Sequence, residues 1–187
     1  NHISNRRIRH TFFSKIETEL QAYLLGFYAA DGSINEKRKT LRIHLQKQDS
    51  EIVYLYKDII SPDARTFTVE EHKTTGRKGI EVTAHESFGV DITSAELCNS
   101  LVNLGIGYNK SHFDLHIPNI PEHLIKHFIR GYFDGDGCIT GWLAIEKGKS
   151  DRVRYSFDIC GKTESLLTEF MKVFNIHNIK INMNYLK

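Results

Sequence analysis

The sequence predicts an α+β protein made of two copies of one supersecondary unit, second copy incomplete. Three observations predict it: a long internal repeat, a polar–apolar alternation of period two in the strand-like stretches, and helical patterns on either side of them. Residues 22–34 (AYLLGFYAADGSI) match residues 127–139 (HFIRGYFDGDGCI), with Asp31 aligned to Asp136. The similarity continues downstream: residues 41–53 (LRIHLQKQDSEIV) resemble residues 155–167 (YSFDICGKTESLL). A repeat of this length points to two units that bury a shared face.

Each unit reads helix, hairpin, helix, then further strand. Thr18 and Gln21 form a capping-box pattern that can start the first helix, and Pro121 fits the first turn of its counterpart. Gly32 and Gly137 suit a left-handed residue at the helix C-termini. In 40–46, Leu41, Ile43 and Leu45 oppose Thr40, Arg42, His44 and Gln46. In 152–160, Val153, Tyr155, Phe157 and Ile159 oppose Arg152, Arg154, Ser156, Asp158 and Cys160. Period two means half-buried antiparallel strands. A turn at 148–151 closes the second hairpin, and helices resume over 49–60 and 163–174. Ile80, Val82 and Ala84 alternate with Glu81, Thr83 and His85 as a further strand, and 94–104 is a closing helix. In the second half, Ile179, Ile181, Met183 and Tyr185 alternate with Lys180, Asn182 and Asn184, and the chain then ends. The expected organisation is a basic arm or linker over 1–17, a first repeat over 18–116, and a second, C-terminally incomplete repeat over 117–187. The chain starts at Asn1 rather than Met and reads as a fragment.

Composition excludes several classes. At 187 residues, 40% hydrophobic and 26% charged, the chain is of ordinary globular type. No apolar run approaches the ~20 residues of a membrane-spanning helix, so no membrane partner is expected. Three dispersed cysteines, Cys98, Cys138 and Cys160, form neither a disulfide framework nor a Cys-x-x-Cys zinc ribbon. The pairs His112/His116 and His123/His127 have helical metal-ligand spacing, but neither carries the glutamate of the metalloprotease motif, and ordinary packed or surface histidines are expected. A net charge of +2 is weak evidence for a nucleic-acid partner, although Arg6, Arg7 and Arg9 cluster at the start.

The chemistry lies in the repeat. Each motif helix has small residues four apart, Gly26 and Ala30 in one and Gly131 and Gly135 in the other, so that two small faces can meet closely. Glycine inside a helix costs roughly 0.5–1 kcal/mol relative to alanine, so these positions call for a packing reason. Paired helices bring Asp31 and Asp136 to the same end, where the helix dipoles already place negative charge. Such an anionic cluster calls for a cation, and oxygen donors favour Mg²⁺ or Ca²⁺. Mg²⁺ shared between carboxylates and phosphate oxygens suits phosphodiester hydrolysis.

Residues 24–32 (LLGFYAADG) and 129–137 (IRGYFDGDG) both resemble the LAGLIDADG motif of homing endonucleases, with Arg130 departing from the usual apolar or small residue. The resemblance covers the chain from about Thr18 onward. It implies a pseudo-symmetric monomer of two αββαββα units whose antiparallel sheets form a DNA-binding saddle. It implies Mg²⁺-dependent double-strand cleavage across the minor groove of a long, imperfectly palindromic site, with Ca²⁺ able to occupy the site without cleavage, in an enzyme of intron or intein mobility. It assigns Asp31 and Asp136 to metal and catalysis, adds the carbonyls of Ala30 and Gly135 as ligands, and gives Gln46, Gln48 and Lys162 roles in ordering active-site water. A non-catalytic DNA-binding protein or intron maturase of the same fold is the alternative. The polar strand faces fit this independently. Arg42, His44, Gln46, Thr83, His85, Arg152, Arg154, Ser156, Lys180, Asn182 and Asn184 carry groups that read base edges.

Overall fold

The structure is a computed structural model that describes residues 7–76, 79–108, 114–145, 151–161 and 163–177. Helix α1 (Glu19–Asp31) opens with the expected capping box: the Gln21 amide donates to the Thr18 hydroxyl, and the Gln21 side chain accepts from the Thr18 amide. It leads into β1 (Ser33–Asn35), β2 (Thr40–Gln46), a short 3₁₀ turn (Lys47–Asp49) and α2 (Ser50–Ile60). Next come β3 (Thr66–Val69), β4 (His72–Thr75), β5 (Glu81–Ala84), β6 (Ser87–Thr93) and α3 (Ala95–Asn103). The second unit holds α4 (Glu122–Asp136), β7 (Gly137–Ala144), β8 (Arg152–Ile159) and α5 (Glu164–Ile176).

Helices α1 and α4 lie against each other backbone to backbone. A Cβ on Gly26 would sit 1.9 Å from the Phe128 carbonyl oxygen, and one on Gly131 would sit 2.0 Å from that of Tyr23. The small-residue faces therefore meet as the repeat predicts, each glycine against the partner's main chain. Helix α1 is buried nearly all round, from Ala22 to Ala29 apart from Tyr23, because its other sides face the first unit's core.

That core is one continuous cluster. It joins Leu24, Leu25 and Tyr28 of α1 to Leu41 and Ile43 of β2, Val53 and Tyr56 of α2, Val90 and Ile92 of β6, and Leu97 and Leu101 of α3. Phe128 of α4 and Phe170 of α5 extend it into the second unit, their ring centroids 6.3 Å apart. Residues before Thr18 belong to this core. Phe13 and Ile16 are buried, and Arg7 forms a chelated pair with Asp63, so the segment from Arg7 onward is docked on the first unit rather than extended as an arm.

The main sheet has the order β1-β2-β6-β3, antiparallel throughout. Its completing strand is β6, whose alternation of Phe88, Val90 and Ile92 with Ser87, Gly89, Asp91 and Thr93 was not among the strands expected from the sequence. Phe88, Val90 and Ile92 of β6 point inward, and Asp91 opposes Arg42 across the strands. The strand expected at 80–84 does form, as β5, but among the described residues it pairs only with β4, in a separate hairpin. Its apolar residues stay open, with neighbouring Ile80 at 61% exposure, because period two marks a strand without saying which sheet it joins.

Two glycines differ from expectation. Gly32 and Gly137 are extended rather than left-handed, because the chain runs straight from each helix into a strand. Glycine fits there for space: a Cβ on Gly32 would meet the Tyr28 ring at 2.3 Å, and one on Gly137 the Phe133 carbonyl at 2.3 Å. The left-handed cap occurs at the end of α3. Gly105 has φ +86°, and the Ile106 amide donates back to Leu101 at 2.9 Å. Pro121 is the N-cap of α4, one residue before its first turn.

The second hairpin also differs. Val153, Tyr155 and Phe157 are 57%, 64% and 67% exposed, where half-buried positions were expected. The matching face of β2 is covered by the first unit's helices, whereas α5 packs on α4 through Tyr132 and Phe170, whose centroids are 5.4 Å apart. Among the described residues no strand lies beside β8 other than β7. The expected strand at 179–185 lies outside the described residues, as does most of the 148–151 turn.

Gly26→Ala and Gly131→Ala should each lower stability by at least the ~1–3 kcal/mol of an overpacked core, since even a methyl group meets main chain that cannot turn away. Thermal and urea denaturation measure this; an unchanged midpoint would show that the helices are not in backbone contact.

Candidate functional site

The close approach of α1 and α4 brings their C-terminal ends together. A Cβ on Gly135 would lie 2.6 Å from the Ala30 Cβ and 3.0 Å from Asp31 Oδ2, so the Asp31 carboxylate reaches over Gly135, next door to Asp136. Asp31 is exposed and Asp136 partly exposed. Tyr132 is almost fully buried, one turn before Asp136 on the same helix. Its phenol pKa is pushed up, first by burial, then by the charge of Asp136, with Cys160 and Asp31 adding to it. One buried hydroxyl thus senses both carboxylates. In the sequence Tyr132 stood out only as part of the motif; its i, i+4 spacing from Asp136 on one helix was the available signal.

Asp31, Asp136, Ala30, Gly135, Gly26 and Gly131 are thus brought together as the repeat predicts. Among the described residues no third His, Cys, Asp or Glu joins the two carboxylates to make a cluster. Two carboxylates with neighbouring backbone carbonyls fit a hard cation that keeps several waters, as Mg²⁺ does. They lack the imidazole and thiolate groups that dominate most zinc sites.

Of the three residues expected to order water, two lie among the described residues. Gln46 ends β2 and Gln48 lies in the 3₁₀ turn, both exposed. Lys162 lies outside the described residues. Strand register revises the alignment between the units. Ser33 pairs with Arg42, but Cys138, its repeat equivalent, pairs with Asp158. The strand pairing therefore shifts the second unit by two residues against the sequence alignment. At this end of β8 the Cys160 amide donates to the Asp136 carbonyl at 3.0 Å, which ties the strand to the motif helix.

The expected DNA-facing residues fall on three surfaces. Arg42 and His44 share the outer face of the main sheet. Arg42 is held by Asp91 through Nε and Nη2, each at 2.7 Å, and stacks over Phe67 at 5.1 Å. His44 shares a 2.8 Å hydrogen bond with Ser87, and its pKa is lowered by partial burial and the positive charge of Arg42. Thr83 and His85 lie away from this sheet: Thr83 is on the β4–β5 hairpin and His85 contacts Glu71 at 3.2 Å. Arg152, Arg154 and Ser156 share one face of β8 with Asp158, which accepts from the Ser156 hydroxyl at 3.0 Å. Lys180, Asn182 and Asn184 lie outside the described residues. No membrane-spanning helix occurs among the described residues.

Of the histidine pairs, His123 is exposed while His127 is buried with Nε2 3.3 Å from Glu19. His112 lies outside the described residues. His116 is engaged by carboxylates, Glu169 at 2.7 Å and Asp114 at 3.4 Å. Glu169 also accepts from the Ile117 amide, and Ser165 donates to Asp114, so residues 114–117 are fastened to α5 and belong physically with the second unit.

Two solved structures are similar over most of the chain. One is the LAGLIDADG meganuclease I-AabMI bound to uncleaved DNA, with a TM-score of 0.53 over 88% of this chain and 74% of that one, at 13% identity. The other is the LAGLIDADG meganuclease I-CpaMI bound to uncleaved DNA, with a TM-score of 0.53 over 91% of this chain and 77% of that one, at 12% identity. This chain has the LAGLIDADG meganuclease fold. No protein-family model and no curated protein matches its sequence. The two helices that carry the LAGLIDADG-like motifs are α1 and α4, and the strand faces beside them are those of β2 and β8.

His44 and His116 should titrate in opposite directions from the ordinary imidazole value of about 6.5. His116 is raised, chiefly by its hydrogen bond to Glu169, so its contribution to stability is full below the unfolded value and lost as pH rises through the folded one. His44 is lowered, so its contribution is present above the unfolded value and lost as pH falls through the folded one. NMR titration of the ring protons checks both, and Glu169→Gln should move only His116 back toward the ordinary value.

Proposed function

We propose that this protein is a site-specific double-strand DNA endonuclease that hydrolyses phosphodiesters with a divalent metal across the minor groove. The observation that carries the reading is the meeting of Asp31 and Asp136 at the ends of two helices in backbone contact. Two carboxylates at helix C-termini repel each other and repel phosphate, which is costly for a protein that only binds DNA. Their juxtaposition is useful where a cation sits between them and the DNA backbone. The DNA-bound state of both similar meganucleases supports duplex DNA as the partner.

In this reading Asp31 and Asp136 hold Mg²⁺, with the carbonyls of Ala30 and Gly135 available beside them. The bound ion would lower the pKa of a water and offset charge on the leaving 3′ oxygen. Tyr132, buried one turn before Asp136 on α4, supports the Asp136 carboxylate from the helix side in this reading. Gln46, Gln48 and Lys162 order active-site water in this reading. The outer faces of β2 and β8, with Arg42, His44, Arg152, Arg154 and Ser156, lie along the two halves of the target. Because the two faces differ in sequence, the target is at most an imperfect palindrome. The chain acts as a monomer in this reading, since it contains both motif helices.

Asp31→Asn and Asp136→Asn should each reduce double-strand cleavage in Mg²⁺ by about 100- to 1000-fold, the several kcal/mol that a metal contributes to the transition state. Binding of the same duplex in Ca²⁺ should persist. Gel-based cleavage and binding assays on a substrate recovered by selection measure both; near wild-type cleavage by either variant would refute the assignment, and a wild-type chain that binds but never cuts would be a binding protein of this fold.

A further inference from the structure

The Arg42–Asp91 pair holds more order than an exposed ion pair requires. Asp91 lies directly opposite Arg42 in the β2–β6 register, and its two carboxylate oxygens take Nε and Nη2 at 2.7 Å each. The Phe67 ring, on the next strand beyond β6, lies under the guanidinium at 5.1 Å. The side chains of Arg42 and Asp91 remain 45% and 35% exposed, so an ion pair there contributes little to stability. Ser33, Asn35, Arg38 and Thr40 line a concavity around the pair, open to the outer face of the sheet.

We propose that Asp91 is a specificity-positioning residue, which locks Arg42 so that its remaining guanidinium edge reads a single guanine in the DNA major groove. This role rests on the endonuclease reading. A guanidinium carries five N–H donors in a rigid plane. Asp91 takes two of them and leaves Nη1 with the second N–H of Nη2, a pair of parallel donors. That pair matches the O6 and N7 acceptors of guanine. With its charge met by Asp91, Arg42 gains little from a phosphate, and the Asp91 carboxylate itself repels one. A base edge, which carries no net charge, is the partner that remains. Ring and carboxylate together fix the side chain before DNA arrives, so less rotamer freedom is lost on binding.

Binding selection from a randomised double-stranded oligonucleotide pool in Ca²⁺ tests this with the 187-residue chain, Arg42→Ala, Asp91→Ala, Asp91→Asn and the double variant Arg42→Ala/Asp91→Asn. The wild-type chain should enrich guanine at one position, and Arg42→Ala should lose that enrichment. Both Asp91 variants should lose about tenfold of it at the same position while preferences elsewhere hold, within the discrimination expected of a bidentate contact. The double variant should be no worse than Arg42→Ala alone, since Asp91 acts through Arg42. A merely structural role would weaken every position in proportion, and that outcome overturns the proposal, as does full guanine preference in both Asp91 variants. If the wild-type chain enriches no sequence, the DNA-directed reading falls with it; if it enriches a site that the Asp91 variants read unchanged, only the role of Asp91 falls.

Discussion

Everything in this molecule depends on a contact between two main chains. At Gly26 and Gly131 the space of a Cβ is taken by the partner helix's carbonyl oxygen, at 1.9 and 2.0 Å. Such a contact specifies relative position tightly, because no flexible side chain intervenes to absorb error. It sets both where the helices cross and how far they slide, and therefore where their C-termini end. Asp31 and Asp136 are the last residues of those helices, so their separation follows from glycines more than a turn away. The glycine cost in helix propensity is the counterpart of that placement.

A second constraint grows from the first. Each motif helix runs through an extended glycine straight into a strand, with no loop between. The strand faces are thereby oriented by the same contact that orients the carboxylates. Buried tyrosines reinforce the first unit: the Tyr28 hydroxyl donates to the Ser33 carbonyl at 2.5 Å, and the Tyr56 hydroxyl donates to that of Leu24. The two units are not equal, however. The first covers one face of its four-stranded sheet with three helices, whereas the described part of the second presents an open hairpin. Symmetry is strict at the helix pair and relaxes outward, to the point that the hairpin registers differ by two residues.

The polar face of the main sheet shows how charge is handled on a surface that, in the proposed function, meets an anion. Arg42 and His44 were legible as outward residues, but their partners were not. Asp91 and Ser87 come from β6, 49 and 43 positions along the chain, and only cross-strand register brings them close. Asp91 converts an arginine that would bind any phosphate into a charge-compensated, oriented donor pair. A face that reads as simply basic along one strand is therefore partly compensated across the sheet.

The sequence by itself determined the repeat, the capping box of α1, the small-residue faces, the α+β class and the pairing of Asp31 with Asp136. All of these are local periodicities or adjacent residues, in which the chain carries its own geometry. Tertiary structure decided the rest. It decided that β6, not β5, completes the sheet, because alternation names a strand but not its neighbour. It placed Thr83 and His85 on a separate hairpin or beside it, drew Phe13 and Ile16 into the core, and left Tyr155 and Phe157 exposed where burial was expected. It moved the left-handed cap to Gly105 and turned Gly32 and Gly137 into spacers, since a glycine's role is set by what lies against it. Contacts between residues distant in the chain have no local signature, and such contacts select the partner of Arg42 and carry the second unit's helix α5 onto α4.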